Sequence, residues 1–290
     1  MIFKSIGVVG GGTMGQGLAE MLALRGLDVI LIEKSAEKLQ YALEMITISL
    51  EKQIERWSLT EAEKKSILSK INTSIDLRDV HACEMIIETT SEDLNTKKHV
   101  FFQLNEICPP STILASNTST LSLTEIAAVT THPERVIGLH FLHPVAKIDV
   151  VEIIRGLKTS NETFETTKSF VTHTIRKTGI QVYESPGFIT TRLISILINE
   201  ALHTLSEGVA SAEDIDSAMR IGYHFHHGPL EMCDRFGLDA VQAALEEMFR
   251  ESGDIKYRPS HLLKKMVRAG TLGVKTGEGF FRYDRDGDRI

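Results

Sequence analysis

The sequence predicts an α/β protein in which a doubly wound, largely parallel sheet is followed by a second, all-helical domain. Over the first 185 residues, short apolar runs alternate with stretches of helical period, as in sheets that are covered by helices on both faces. Ser185-Pro186-Gly187 is a turn signal, and strand-like runs almost disappear after it. We therefore expect one domain over residues 1–185 and a helical domain over residues 186–290.

The predicted elements follow these two patterns in order along the chain. Strands are expected at residues 5–9, 28–32, 85–87, 113–115, 136–139, 150–154 and 180–183. A charged segment at about residues 35–70 has helical period with a break near Trp57, which predicts an inserted helical hairpin. Helices of the second domain are expected near 188–207, 212–221, 238–252 and 259–269, before a glycine-rich tail.

Composition narrows the classes of function. The 290 residues are 42% apolar, which suffices for one large or two modest cores, and the net charge of −7 offers no basic surface for nucleic acid. No apolar stretch is long enough to span a bilayer. The three cysteines are far apart and lack the spacing of a zinc site. We expect no nucleic-acid or membrane partner, and reduced thiols in a cytoplasmic protein.

The glycines after the first strand predict a dinucleotide site. Gly10-Gly11-Gly12-Thr13-Met14-Gly15 matches G-x-G-x-x-G between a strand and a helix. Gly10 permits the tight turn, Gly12 admits the pyrophosphate, and Gly15 lets the helix pack closely on the strand. Gly10, Gly12, Met14 and Gly15 are therefore predicted to bind the cofactor in a Rossmann-type domain.

Glu33 favours NAD over NADP as that cofactor. It ends the second predicted strand, about twenty residues after the glycines, where a carboxylate accepts hydrogen bonds from the ribose hydroxyls. The same charge would repel a 2′-phosphate, although Lys34 beside it could partly compensate. The preference for NAD is predicted, but its strictness is left open.

Several further segments resemble the 3-hydroxyacyl-CoA dehydrogenase family in order and spacing. They are Ser116-Asn117-Thr118-Ser119, Gly138-Leu139-His140-Phe141-Leu142-His143-Pro144, Val151-Glu152-Ile153-Ile154 and the closing Gly270-Thr271-Leu272-Gly273-Val274-Lys275-Thr276-Gly277. The resemblance spans nearly the whole chain. It implies an oxidoreductase of fatty acid metabolism that uses NAD to oxidise, or to form, the 3-hydroxyl of an acyl-CoA thioester.

His140 and Glu152 are the predicted catalytic pair. Removing a proton from a secondary alcohol needs a base with a pKa near neutrality, which histidine has. Glu152 lies twelve residues on in an apolar strand, where a carboxylate is costly to bury without a partner. His140 is the expected partner, and the resemblance implies the same pair. His143 is the less favoured alternative base, because only His140 keeps the family's spacing to Glu152.

The resemblance assigns further site residues. Ser119 corresponds to the serine near the substrate oxygen, and Asn117 is expected to contact the cofactor or to order its loop. Glu92 and Lys97 match positions near the nicotinamide-side ribose, although a charged pair on a solvated helix would look the same. Ser49 and Arg56, in the hairpin, fall where the family contacts CoA, again with a solvated face as the alternative.

Two positions depart from the family pattern and concern the acyl group. His143 and Thr191 stand where the family usually has asparagine. Threonine is shorter than asparagine and histidine is bulkier and titratable, so contacts to the substrate must differ. The alternative enzyme function is therefore a specialised relative that acts on an unusual or carrier-protein-bound thioester. A non-catalytic NAD-binding protein is the alternative from another class.

The second domain carries two further expectations. Three histidines in Tyr223-His224-Phe225-His226-His227 invite a metal interpretation, but a site without metal is favoured, with this loop near the substrate cleft as the resemblance implies. Amphipathic stretches of this domain present more apolar surface than a short bundle buries, and the family dimerises there. We expect a homodimer through the C-terminal domain.

Overall fold

The computed structural model describes residues 3–290, and the chain divides into two compact units between Ser185 and Pro186. The first unit is built on one eight-stranded sheet. Its strands are β1 Ser5–Val9, β2 Asp28–Ile32, β3 Ile71–Ser74, β4 Met85–Glu88, β5 Ile113–Ser116, β6 Val136–Phe141, β7 Val150–Arg155 and β8 Thr178–Tyr183. They lie in the order β3-β2-β1-β4-β5-β6-β7-β8, and only the β6–β7 pair is antiparallel. The predicted doubly wound, largely parallel sheet is confirmed.

Helices connect these strands and bury the central ones. The helices of the first unit are α1 Thr13–Leu24, α2 Ala36–Glu55, α3 Glu61–Leu68, α4 Leu94–Ile107, α5 Leu123–Ala127 and α6 Asn161–Ser169. Every residue of β4 and β5 is buried, because helices cover both faces of a parallel sheet. These strands are therefore continuous apolar runs in the sequence. None of the helices within residues 3–290 has the length and apolar character needed to cross a bilayer.

The sequence prediction lacked one strand and one helix, and each of them depends on contacts with another segment of the chain. Strand β3 pairs with β2 at the sheet edge and buries only Ile71, so Asn72-Thr73-Ser74 gave no apolar run. In the second unit, helix α9 Pro229–Phe236 is only eight residues long. The two oxygens of Asp216 accept hydrogen bonds from the backbone N–H groups of Leu230 and Glu231, both at 2.8 Å. A carboxylate distant in sequence thus caps this short helix.

The second unit is helical, as predicted. Its helices are α7 Thr190–Ser206, α8 Ala212–Tyr223, α9 Pro229–Phe236, α10 Leu238–Ser252 and α11 His261–Arg268, and the tail beyond them makes isolated bridges. Buried Asp234, in α9, ties the tail to this bundle. It accepts hydrogen bonds from the N–H groups of Phe280 and Phe281 and from the hydroxyl of Tyr283, each at 2.9 Å. The tail is thereby fixed on the helices by one carboxylate.

The stability of this unit is expected to depend on the proton of Asp234. Burial raises the pKa of Asp234 from its usual 3.8 to about 6, and hydrogen bonds from Phe280 and Phe281 offset only part of that rise. Between these two values the folded protein retains a proton that the unfolded chain has released. The free energy of unfolding therefore falls as the pH rises through this window, by roughly 3 kcal/mol for one such group.

Asp234→Asn removes the titration and supplies the comparison. Urea unfolding between about pH 4 and pH 7 should show the stability advantage of the wild type over Asp234→Asn shrinking as the pH rises. Other titrating groups cancel because both proteins share them. An advantage that stays constant across the range would mean that the three donors keep the carboxylate ionised.

Candidate active site

The turn between β1 and α1 requires glycine for reasons visible in its backbone. Gly10 has a φ of +109°, a conformation that other L residues rarely adopt. A Cβ at Gly15 would lie 1.7 Å from the carbonyl oxygen of Gly10, whereas a Cβ at Gly12 would meet no atom within 4 Å. Gly15 therefore allows the helix to approach the strand, and the space above Gly12 is open.

Helix α1 begins at this open space without a side-chain cap. Gly12 is its N-cap, and the N–H groups of the first turn, on Thr13, Met14 and Gly15, have no acceptor within the helix. The side chain of Met14 is half-buried and packs against the core. Free N–H groups and the positive end of the helix dipole suit an anion. The turn fits the diphosphate of a dinucleotide.

Glu33 lies directly after β2 and against the same turn. Its Oε1 accepts a hydrogen bond from the backbone N–H of Gly11 at 3.0 Å, and its Oε2 accepts one from the N–H of Lys34 at 2.9 Å. The structure thus brings together the glycine turn and the acid that the sequence placed near a ribose. The residues present fit an NAD cofactor.

His140 and Glu152 form a buried pair across two strands. The β6–β7 register sets them directly opposite each other, and Nδ1 of His140 lies 2.5 Å from Oε2 of Glu152. The two residues are 6% and 1% exposed. A carboxylate bound to Nδ1 fixes the orientation of the imidazole and stabilises its protonated form. The pairing expected from the sequence is present.

These groups share one edge of the sheet. β1, β2, β4, β5 and β6 are parallel, so the glycine turn, Glu33, Asn117, Ser119 and the end of β6 all lie at their carboxyl ends. The strand order reverses between β1 and β4. Ligands of open α/β sheets bind outside the carboxyl ends of the strands at such a reversal. The predicted cofactor and catalytic residues of the first unit are therefore on the edge where binding is expected.

Glu88 is a buried charge at this edge that the sequence prediction missed. It ends β4, and both of its oxygens contact Nζ of Lys97, at 2.9 and 3.1 Å. The hydroxyl of Ser116 and the N–H of Thr90 also donate to it, at 2.7 and 2.6 Å. Glu88 is 0% and Lys97 is 1% exposed, so Lys97 is not on a solvated face. The available signal was an acid that ends a fully apolar strand, nine residues before a lysine.

Glu92 holds the loop that contains Ser119. Its Oε1 accepts hydrogen bonds from the Oγ1 of Thr118 at 2.6 Å and from the N–H groups of Ser119 and Thr120 at 2.7 and 3.1 Å. The Ser119 hydroxyl is also 3.1 Å from this atom. Burial raises the pKa of Glu92, but Lys97, 3.5 Å from its Oε2, and these donors outweigh burial. The pKa of Glu92 therefore lies below its usual value, and the loop is bound to an ionised carboxylate.

The hairpin formed by α2 and α3 places its two predicted CoA residues differently. Ser49 is half-buried, and its hydroxyl forms a hydrogen bond with Glu20. Burial raises the pKa of Glu20, and the hydrogen bonds with Ser49 and Gln53 offset part of that rise. Arg56 is exposed at the C-cap of α2. Trp57 beside it is 95% exposed, with a φ of +57°. Arg56 is thus available to a ligand, whereas the Ser49 hydroxyl already has a protein partner.

The two positions that depart from the family pattern belong to different units. His143 is exposed in the loop after β6, three residues beyond His140. Thr191 is the second residue of α7 in the second unit. Neither takes part in the bonding around His140 or Glu92 described above.

Two histidines in the loop after α8 of the second unit contact neighbouring side chains of the protein. Nδ1 of His226 lies 3.0 Å from Nε2 of His227, and Nδ1 of His227 lies 2.8 Å from Glu231. Among residues 3–290, no three histidine, cysteine, aspartate or glutamate side chains are arranged to hold a metal ion.

Neighbouring lysines provide a test of the buried charge pair. Lys97→Met leaves Glu88 buried without its cation, which should lower the free energy of unfolding by about 3–5 kcal/mol. Lys98→Met removes the more exposed pair with Glu125 and should cost less than about 1 kcal/mol. Urea unfolding of both variants checks the difference. If Lys97→Met lowered the free energy of unfolding as little as Lys98→Met does, the Glu88–Lys97 pair would not support the fold.

Comparisons with known proteins agree with this geometry. The family model for the 3-hydroxyacyl-CoA dehydrogenase NAD binding domain matches residues 5–185, and that for the C-terminal domain matches residues 187–283. The 3-hydroxybutyryl-CoA dehydrogenase of Bradyrhizobium diazoefficiens is 42% identical over 97% of this chain and 96% of its own.

Solved structures give the same result over both units. The crystal structure of FadB2 from M. tuberculosis matches with a TM-score of 0.96 at 33% identity, covering 98% of this chain and 100% of that one. The (S)-3-hydroxybutyryl-CoA dehydrogenase of Ralstonia eutropha matches with a TM-score of 0.92 at 39% identity, with the same coverage. The cofactor of the matched N-terminal domain is NAD. This chain belongs to the 3-hydroxyacyl-CoA dehydrogenase family.

Proposed function

We propose that the chain transfers a hydride between NAD(H) and the 3-position of a 3-hydroxyacyl or 3-oxoacyl thioester linked to CoA. The buried His140–Glu152 pair carries this proposal, because it supplies a base at the edge of the sheet that also bears the glycine turn. The relatives from Bradyrhizobium diazoefficiens and Ralstonia eutropha are named 3-hydroxybutyryl-CoA dehydrogenases, which supports a CoA thioester as the substrate. A protein that only bound NAD would have no need of this pair.

His140 moves the proton of the reaction. Since Glu152 occupies Nδ1, Nε2 is the ring atom that would take the proton of the 3-hydroxyl during oxidation and return it during reduction. Glu152 stabilises the imidazolium that results. When bound, the nicotinamide supplies the hydride acceptor or donor.

Ser119 is the proposed contact to the reacting oxygen. Its hydroxyl is 3.1 Å from Oε1 of Glu92, a longer contact than those made by Thr118 Oγ1 and by the Ser119 N–H. Because those shorter bonds already satisfy the carboxylate, the hydroxyl can turn to the substrate at little cost. There it would polarise the developing carbonyl.

Glu33 supports NAD rather than NADP. Its carboxylate is fixed against the glycine turn by two backbone N–H groups, so a 2′-phosphate at this place would meet a charge of the same sign. Glu92 and Lys97 are proposed to line the nicotinamide side. These two residues form an ion pair, in which the side chain of Glu92 is more exposed than that of Lys97.

The choice of acyl group concerns His143 and Thr191. His143 and Thr191 offer one titratable ring and one short hydroxyl where the family pattern has two amides. We propose that they alter the choice of acyl chain and leave the hydride step to His140 and Glu152. A carrier-bound thioester would use the same chemistry.

Turnover tests the proposal directly. NADH oxidation with acetoacetyl-CoA is expected, and His140→Ala should lower kcat by about 10²–10⁴-fold with little change in NADH affinity. His132, a half-buried residue paired with Glu134 before β6 begins, is the matched control, and His132→Ala should keep the wild-type kcat. Failure of the wild type to oxidise NADH with any 3-oxoacyl thioester would exclude the proposed activity. Normal turnover by His140→Ala would exclude His140 as the base.

Arg56 is proposed to bind a phosphate of CoA at the tip of the hairpin. The exposed guanidinium can donate to phosphate oxygens, whereas the bond between Ser49 and Glu20 must open before Ser49 can contribute. Trp57, the only tryptophan of the chain, is a fluorescent reporter next to this site.

Tryptophan emission therefore measures CoA binding. CoA added without NADH should change the emission, and Arg56→Ala should move the midpoint to a severalfold higher concentration because a phosphate contact is lost. Arg268→Ala, exposed in the second unit, should leave the midpoint unchanged. An emission that does not respond to CoA at concentrations at which acetoacetyl-CoA saturates turnover would place CoA elsewhere.

The second unit is proposed to dimerise with another copy of the chain. Large apolar side chains are exposed on it, namely Leu193, Val209, Ile221, Tyr223 and Phe236. Surface of this kind is usual at protein interfaces, and sedimentation of the purified chain measures its oligomeric state. Cys83, Cys108 and Cys233 are buried free thiols, which agrees with the proposed cytoplasmic location.

A further inference from the structure

The end of β6 extends beyond its neighbour β5. The parallel ladder between them ends at the pair Ser116 and Gly138, whereas β6 continues to Phe141. His140 therefore lies past the last backbone pair on this side, although β7 still pairs with β6 on the other. A strand end held on one side only would leave the base less firmly placed.

Asn117 replaces the missing ladder. It follows β5 directly, and its Oδ1 accepts a hydrogen bond from the backbone N–H of Phe141 at 2.9 Å. Its own N–H donates to the carbonyl oxygen of Glu88 at 2.8 Å. One residue thus joins the end of β4 to the end of β6, one position after His140.

The backbone N–H of Phe141 also determines which way the side-chain amide of Asn117 faces. A backbone N–H needs an acceptor, so Oδ1 must face Phe141 and Nδ2 must face away from it. Contact with Phe141 and contact with a cofactor would therefore use different atoms of Asn117. This separation allows the two roles to be distinguished by substitution.

We propose that Asn117 is a positioning residue that holds the His140 backbone in place through Oδ1, an inference that rests on the proposed function of His140. Glu152 orients the ring from β7, and Asn117 fixes the strand from the β5 side. Proton transfer at a hydrogen-bonded base is sensitive to small displacements, so loss of this bond should lower kcat more than it weakens cofactor binding.

Two substitutions separate the atoms. Asn117→Ala removes both Oδ1 and Nδ2, and kcat should fall about tenfold or more while the Kd of NADH stays nearly unchanged. Asn117→Asp keeps the acceptor oxygen but replaces Nδ2 with a second oxygen and adds a negative charge. Because the Phe141 N–H still has its acceptor, more of the wild-type kcat should return than in Asn117→Ala. Asn105→Ala is the matched control, because Oδ1 of Asn105 accepts from the N–H of Thr131 outside the site. Its kcat should match that of the wild type.

Amide hydrogen exchange of Phe141 gives a readout that needs no turnover. The exchange should quicken in Asn117→Ala, return toward wild type in Asn117→Asp, and leave the amides of β1 unaffected. If Asn117→Ala does not fold, Asn117→Asp alone decides through the Phe141 amide, which the inference requires to stay protected because the acceptor oxygen is kept.

Some results would overturn the inference alone, and another would also exclude the proposed function. One is a wild-type kcat in Asn117→Ala, and another is a Phe141 amide that exchanges as fast in Asn117→Asp as in Asn117→Ala although the acceptor oxygen is kept. If both the wild type and Asn105→Ala were inactive, the proposed function and the inference would both be wrong. Activity in both with an unchanged Asn117→Ala would remove the inference alone.

Discussion

The antiparallel pairing of β6 and β7 is the constraint on which the site depends. The sheet is otherwise parallel, and this antiparallel pair sets Glu152 directly across from His140. Oε2 of Glu152 therefore lies 2.5 Å from Nδ1 of His140. Side chains alternate faces along a strand, so a shift of one residue in register would turn the carboxylate to the opposite face. The contact between the proposed base and its carboxylate partner thus follows from strand pairing.

The charges at and after the end of β4 are arranged so that each has a partner. Burying Lys97 or Glu88 alone would be very unfavourable, but together they form an ion pair that Ser116 and Thr90 complete with hydrogen bonds. Lys97 also keeps Glu92 ionised, and Glu92 holds the Ser119 loop through backbone N–H groups. The position of Ser119 is therefore set by a charge network that begins at the end of β4.

The sequence was sufficient for features that depend on period or on backbone geometry. The buried strands are visible as apolar runs and the glycine turn as a motif. His140 was identified as the partner of Glu152 from the family resemblance together with the cost of burying an unpaired acid. Features that arise from contacts between distant residues were not visible. Strand β3 depends on β2, helix α9 depends on Asp216, and the oxygen of Asn117 is used by Phe141. The role of Glu88 required knowledge of which lysine reaches it.

The central claim is that Glu152 serves His140 through its charge as well as its shape. Glu152→Gln preserves the size of the side chain and an acceptor for Nδ1, but it removes the charge that stabilises the imidazolium. Steady-state kinetics of NADH oxidation with acetoacetyl-CoA measures the consequence. The account predicts a kcat at least about tenfold lower, with the KM for NADH little changed. A kcat equal to that of the wild type would contradict it.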